Sequence, residues 1–158
     1  MKYICIKTVA IYLLATLPLL ANASTHKVKI THSVMVGDGI AKFIPEGFDA
    51  QKIPSFAIEK EPREQGALPA DWVLVPEFSL TDGKANASLT VPEGTSIYGG
   101  GEVTGSLLRN GKTIKLWNTD SGAYGVDKGT RLYQSHPWMM GVRKDGTAFG
   151  ILFDTTWK

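Results

Sequence analysis

Apolar and polar residues alternate with a period of two along much of the chain, the pattern of strands with one buried face. Val28, Ile30, His32, Val34 and Val36 fall on one side, with Lys27, Lys29, Thr31 and Ser33 on the other. Ala85, Ala87, Leu89 and Val91 alternate in the same way with Lys84, Asn86, Ser88 and Thr90. Asp82-Gly83 stands just before them, where a type I′ turn takes two residues at positive φ. Phe78–Thr81 and Lys84–Val91 are therefore predicted to form a hairpin. A second hairpin is predicted further on, where Trp138, Met140 and Val142 share a face. Lys144-Asp145-Gly146 turns the chain there, and Phe149, Ile151 and Phe153 return. Ile114 and Leu116 mark another short strand.

Helical spacing has no comparable run. The best attempt, Ser55 to Gln65, contains Pro62 and only Phe56, Ala57 and Ile58 as apolar residues. Many short strands with Gly and Pro turns predict an all-β fold, a sandwich or a barrel. Twelve of the 17 glycines lie between Gly94 and Gly150, so that half is expected to bend tightly. Residues 37–70, punctuated by Gly37, Gly39, Pro45, Pro54, Pro62 and Pro69, read as irregular. No internal repeat and no second-domain boundary is visible.

The first residues read as targeting rather than fold. Lys2 and Lys7 lead into an uncharged run of 13 residues, Thr8 to Leu20, and Ala21-Asn22-Ala23 then offers the small residues a signal peptidase reads. The run is shorter than the roughly 20 residues that span a bilayer. Residues 1–23 are thus read as a signal peptide and 24–158 as one folded β domain. The expected destination is the periplasm or the exterior, with no membrane contact after cleavage, and the short Lys-bearing leader points to a bacterium.

Removing the leader changes the charge and the chemistry. With Lys2 and Lys7 gone, the 17 Lys+Arg become 15, equal to the 15 Asp+Glu. A balanced surface without basic runs gives no electrostatic ground for nucleic acid. Cys5, the single cysteine, leaves as well. That excludes a disulfide framework, a cysteine-built metal site and a thiol nucleophile in the mature chain.

Several candidate motifs fail on spacing. Gly99-Gly100-Gly101 lacks the third glycine of a dinucleotide fingerprint, because Thr104 stands there. Gly105 to Gly111-Lys112-Thr113 has five residues between its glycines where a phosphate loop has four. Asn110-Gly111 therefore reads as a turn. His26, His32 and His136 form no i,i+4 or His-x-His pair, so no metal site is expected, and His32 reads as a core histidine. Ser121 and Ser135 sit in no nucleophile-elbow sequence. No cofactor is implied.

The informative stretch is 97–157. It carries YGGGE at 98–102, the LLRNGK turn, WNTD at 117–120, YQSHP at 133–137 and DGTAFGILFD at 145–154. In this order and spacing the stretch resembles the N-terminal β-sandwich of glycoside hydrolase family 31, the retaining α-glucosidase and α-xylosidase family. The resemblance implies an antiparallel, galactose-mutarotase-like sandwich, truncated before a (β/α)8 barrel that carries an aspartate nucleophile and an aspartate acid/base. Retaining hydrolysis needs two carboxyls about 5–5.5 Å apart, and no such pair can be nominated among Glu93, Glu102, Asp120, Asp127 and Asp145. No catalytic residue is therefore expected in this chain.

The resemblance also implies one sugar contact. A loop of the sandwich reaches the barrel mouth in that family, and its aspartate matches Asp120, which closes WNTD. An ionised carboxylate accepts strongly from two adjacent hydroxyls; the competing reading is a cap of the turn Asp120-Ser121-Gly122. Trp117 either stacks on a sugar ring or packs in the core, and Trp138 reads as core. Glu102, after three glycines that permit close backbone approach, reads as a buried carboxylate held by loop amides. The implied ligand is an α-linked oligosaccharide or glycoside, and the implied neighbour is the protein's own barrel. Two other classes fit the same strands: a stand-alone carbohydrate-binding module and a cell-surface structural β protein.

Overall fold

The computed structural model describes residues 7–9, 24–48, 63–120, 122 and 126–154. The Ala21–Ala23 cleavage motif, Cys5, Ser121 and most of the 55–65 stretch lie outside them. The described residues form strands joined by turns, with a 3-10 turn at Val126–Gly129 and no α-helix. Every strand pair is antiparallel. The chain divides into two units at Glu93 and Gly94.

The first unit holds β1 (Lys7–Val9), β2 (Thr25–Val28), β3 (Ile30–Gly37), β4 (Ile40–Pro45), β5 (Glu77–Thr81) and β6 (Lys84–Val91). Four of these make a sheet in the order β1-β6-β5-β2. The β5–β6 hairpin forms as its turn chemistry dictates, with Asp82 at φ 51° and Gly83 at φ 73°. The alternating run from Lys27 to Val36 breaks at Lys29 into two strands. β2 pairs with β5, whereas β3 pairs with β4. Alternation specifies which face a residue takes and says nothing of the partner, so the change of partner left no mark on the pattern.

β4 lies within the segment expected to be irregular. Its turn is Asp38-Gly39, with Gly39 at φ 68°, and Pro45 is its last residue, opposite Ile30. A proline at a strand end costs no ladder bond that the strand interior needs. Residues 63–66 run beside β3: Gln65 N–H donates to Met35 O at 2.7 Å and Met35 N–H to Gly66 O at 2.9 Å. His32 Nε2 meets Glu64 Oε1 at 2.6 Å, and its side chain is 42% exposed, so it is a surface partner of this segment rather than a core histidine.

The second unit contains β7 (Ser96–Gly99), β8 (Trp138–Val142) and β9 (Ala148–Leu152), in the order β7-β8-β9. Register decides which face is inside. Gly141 stands opposite both Ile97 and Phe149, and Met139 stands opposite Ile151. Ile97 and Gly141 are buried, so this is the inner face. Trp138, Met140 and Leu152 lie on the other face and are exposed. Trp138 is 47% exposed and is not a core residue. Its indole lies where a Cβ of Gly150 would be, and the Phe149 ring fills the same place over Gly141. Of the two inward positions of β8, Met139 and Gly141, the buried one is thus a glycine, which a hydrophobic pattern cannot reveal.

Ile114 and Leu116 form no strand. The side chain of Ile114 packs on Gly100, where an added Cβ would sit 2.9 Å from its Cδ1, and Leu116 is exposed. Apolar character at 114 plugs a glycine surface instead of facing a sheet.

Candidate functional site

The glycine run at 99–101 continues β7 against the segment that precedes β8. Gly100 N–H donates to Trp138 O at 2.9 Å and Glu102 N–H to Gln134 O at 2.8 Å. Cβ atoms at Gly99 and Gly101 would meet the carbonyls of Trp138 and Gln134. All three glycines have positive φ, 110°, 80° and 92°, so both backbone conformation and close approach demand glycine here. Glu102 is exposed, which corrects its reading as a buried carboxylate. Its backbone is held by the layer while its side chain faces outward.

The LLRNGK turn locks onto β7 from the other side. Asn110 Oδ1 accepts from Ile97 N–H at 2.8 Å, and Asn110 Nδ2 donates to Thr95 O at 2.7 Å. Arg109 is only 6% exposed. Its Nε donates to Gly99 O at 3.1 Å and its Nη1 to Ser106 O at 2.8 Å. Burying a cation is costly unless its donors are satisfied, and carbonyl oxygens satisfy these. Arg109 is the residue that residue-type reasoning missed: nothing in the spacing of LLRNGK marks it as buried.

Beyond this turn, residues 112–120 carry both predicted sugar-contacting residues without belonging to any sheet. Trp117 is 44% exposed and Asp120 is exposed. The stretch is tied down next to Asp120, where Thr119 N–H donates to Leu132 O at 2.8 Å. Leu132 is among the most buried side chains of the unit. The arrangement holds an exposed carboxylate and an exposed indole on one anchored stretch, which suits acceptance of hydroxyl donors beside an apolar ring.

The histidines stay apart in separate local contacts. His26 Nε2 meets Ser24 Oγ at 2.6 Å, His32 meets Glu64, and His136 Nε2 meets Gln134 Oε1 at 3.3 Å. Among the described residues no three His, Asp or Glu side chains are grouped to hold a metal. Among them, too, no helix is long and apolar enough to cross a membrane.

Residues 56–158 match the glycosyl hydrolase 31 N-terminal galactose mutarotase-like domain. The chain belongs to that family. The glycine layer, the LLRNGK turn and the WNTD stretch all fall within the matched residues, and the galactose-mutarotase-like β-sandwich is the fold class to which the antiparallel sheets belong. Over 66 residues the chain is 48% identical to an alpha-glucosidase 2 of Bacillus thermoamyloliquefaciens, covering 42% of this chain and 8% of that protein. Over 80 residues it is 42% identical to an alpha-glucosidase of Hordeum vulgare, covering 49% of this chain and 9% of that protein. The chain therefore matches less than a tenth of the length of either relative.

Proposed function

We propose that this chain is the N-terminal portion of an exported retaining α-glycosidase of the α-glucosidase type. In that protein it serves as scaffold and lends the WNTD stretch to the sugar-binding pocket. The family match over residues 56–158, together with the similarity to two alpha-glucosidases, carries the reading. The catalytic barrel and both catalytic carboxylates lie elsewhere in the full-length protein, so this chain by itself hydrolyses nothing. Asp120 accepts hydroxyl donors of the bound α-linked sugar and Trp117 lies against its ring. The exposure of both side chains on a backbone-anchored stretch supports those roles.

Export rests on the basic, uncharged and small-residue segments of 1–23. Cleavage after Ala23 would remove β1 and leave β6 as the edge of its sheet. Two measurements test the reading. The full-length protein should release glucose from maltose and the aryl group from an aryl α-glucoside, and the secreted form should begin at Ser24. A full-length protein inert toward α-linked glycosides would overturn the enzymatic part, and retention of Met1 in the exported protein would overturn the targeting part.

A further inference from the structure

Within residues 111–120, Ile114 and Thr119 are part-buried and the others are exposed. The Ile114 side chain covers Gly100, which is buried. A Cβ added to Gly100 would lie 2.9 Å from Ile114 Cδ1, 3.3 Å from its Cγ2 and 3.6 Å from Met139 Sδ. Thr119 N–H donates to Leu132 O at 2.8 Å. The backbones beneath these two anchors are themselves joined. Gly100 N–H donates to Trp138 O at 2.9 Å, and Glu102 N–H donates to Gln134 O at 2.8 Å. Ile114 and Thr119 thus rest on two strips of one bonded patch, and Asp120 is the next residue after the second anchor.

An isoleucine that covers a glycine is ordinary packing. A single backbone hydrogen bond, however, fixes one point of a chain and leaves its direction free. A second anchor earlier in the same stretch fixes the direction as well, which is what a binding group needs from its support. We propose that Ile114 is a positioning residue for Asp120: its seat on Gly100 sets the course along which the stretch brings that carboxylate to the sugar. Ile114 itself touches no substrate. The seat is stiff on both sides. Gly100, at φ 80°, offers backbone and no side chain that could yield, and the β-branched Ile114 has few rotamers to move between. This rests on the glycosidase reading and deepens it, because it ties the sugar contact of the WNTD stretch to the glycine run of YGGGE.

The test uses the full-length protein with Ile114→Ala, Ile114→Leu, Asp120→Ala and each Ile114 variant combined with Asp120→Ala. Maltose and an aryl α-glucoside are the substrates. Ile114→Ala is expected to lower kcat/KM for maltose about 10-fold, within what a displaced contact group costs, and to lower it less for the aryl glycoside. Ile114→Leu keeps the volume but lacks the branch at Cβ, and should lose about 3-fold on maltose. In the Asp120→Ala background both Ile114 substitutions should change kcat/KM by less than about 2-fold, because the group they position is gone. A packing role alone would lower both substrates alike and would persist in that background. Equal losses on the two substrates, or an undiminished Ile114→Ala loss without Asp120, therefore overturn the proposal. A maltose-selective Asp120→Ala loss alongside either result leaves the glycosidase reading standing. Absence of hydrolysis by the unsubstituted protein overturns the glycosidase reading itself. Where Ile114→Ala unfolds, Ile114→Leu decides: unchanged kinetics on maltose also count against the proposal.

Discussion

Asp120 has a chemistry that a turn cap and a sugar contact would express differently. A carboxylate that accepts from hydroxyls of the leaving-group sugar contributes about 1.5–3 kcal/mol for each charge-assisted bond. Asp120→Ala in the full-length protein should therefore depress kcat/KM for maltose more than for an aryl α-glucoside, whose leaving group lacks those hydroxyls. Steady-state kinetics on the two substrates check this, and equal losses would assign Asp120 to the turn. Asp145 illustrates the local counterpart. Its Oδ1 accepts from Thr147 Oγ1 at 2.7 Å and from Thr147 N–H at 2.9 Å. These bonds, the side-chain one first, with Arg143 nearby, hold the carboxyl below its usual 3.8. A carboxyl depressed on folding stabilises the fold above its unfolded value, and that contribution disappears as pH falls through the folded value. Asp145→Asn should thus flatten the fall in thermal stability below about pH 4, measured by circular dichroism, and leave the curve at neutral pH little changed in shape. An unaltered acid limb would show that Asp145 contributes nothing to it.

The elements depend on a few side chains that tie turns to strands. Arg109 donates to Gly99 O and Ser106 O from a buried position, and Asn110 bonds the backbone of Thr95 and Ile97. Arg109→Met keeps much of the volume but removes both charge-assisted bonds and strands two carbonyls. The expected cost is about 2–4 kcal/mol, from roughly 1–3 kcal/mol for each polar group left unpaired, read by urea unfolding. A loss under 1 kcal/mol would show that water replaces the guanidinium without penalty. The two hairpins at Asp82-Gly83 and Lys144-Gly146 were legible in the sequence because turn chemistry is local. The break at Lys29 was not, since β2 pairs with the distant β5; β4 joins β3 through the local Asp38-Gly39 turn, a signal hidden by the glycines and prolines that made 37–70 read as irregular. Trp138 was misassigned to the core because Gly141 holds the inward position, where no side chain signals burial. Of the proposed site, Asp120 and Trp117 were nominated only through the order of the WNTD, YQSHP and DGTAFGILFD segments. The neighbours that fix them, Thr119 and Leu132, are joined by a backbone bond that residue identity does not encode.

Among the described residues the buried apolar side chains are only Val34 and Val91 in the first unit and Ile97 and Leu132 in the second, and no large side chain is fully buried. Trp138, Met140 and Leu152 together leave one face of β8 and β9 apolar and open. β9, with the uncharged sequence AFGIL, pairs with β8 on one side and with no described strand on the other. An unpaired, uncharged edge templates association, and an exposed apolar face favours it. The balanced charge of residues 24–158 supplies little long-range repulsion against it. Residues 24–158, purified alone, are therefore expected to form oligomers whose mass rises with concentration in light scattering after gel filtration. Met140→Lys with Leu152→Lys should shift them toward monomer, because both side chains lie on the open face and their charge adds repulsion without entering the core. Trp138 is a poorer probe, since its indole covers Gly150 and its removal would also disturb the hairpin. A monodisperse monomer with a sharp, reversible thermal transition would contradict the expectation. It would show that these strands suffice as an independent domain, and would favour the stand-alone carbohydrate-binding module over the portion of a larger glycosidase.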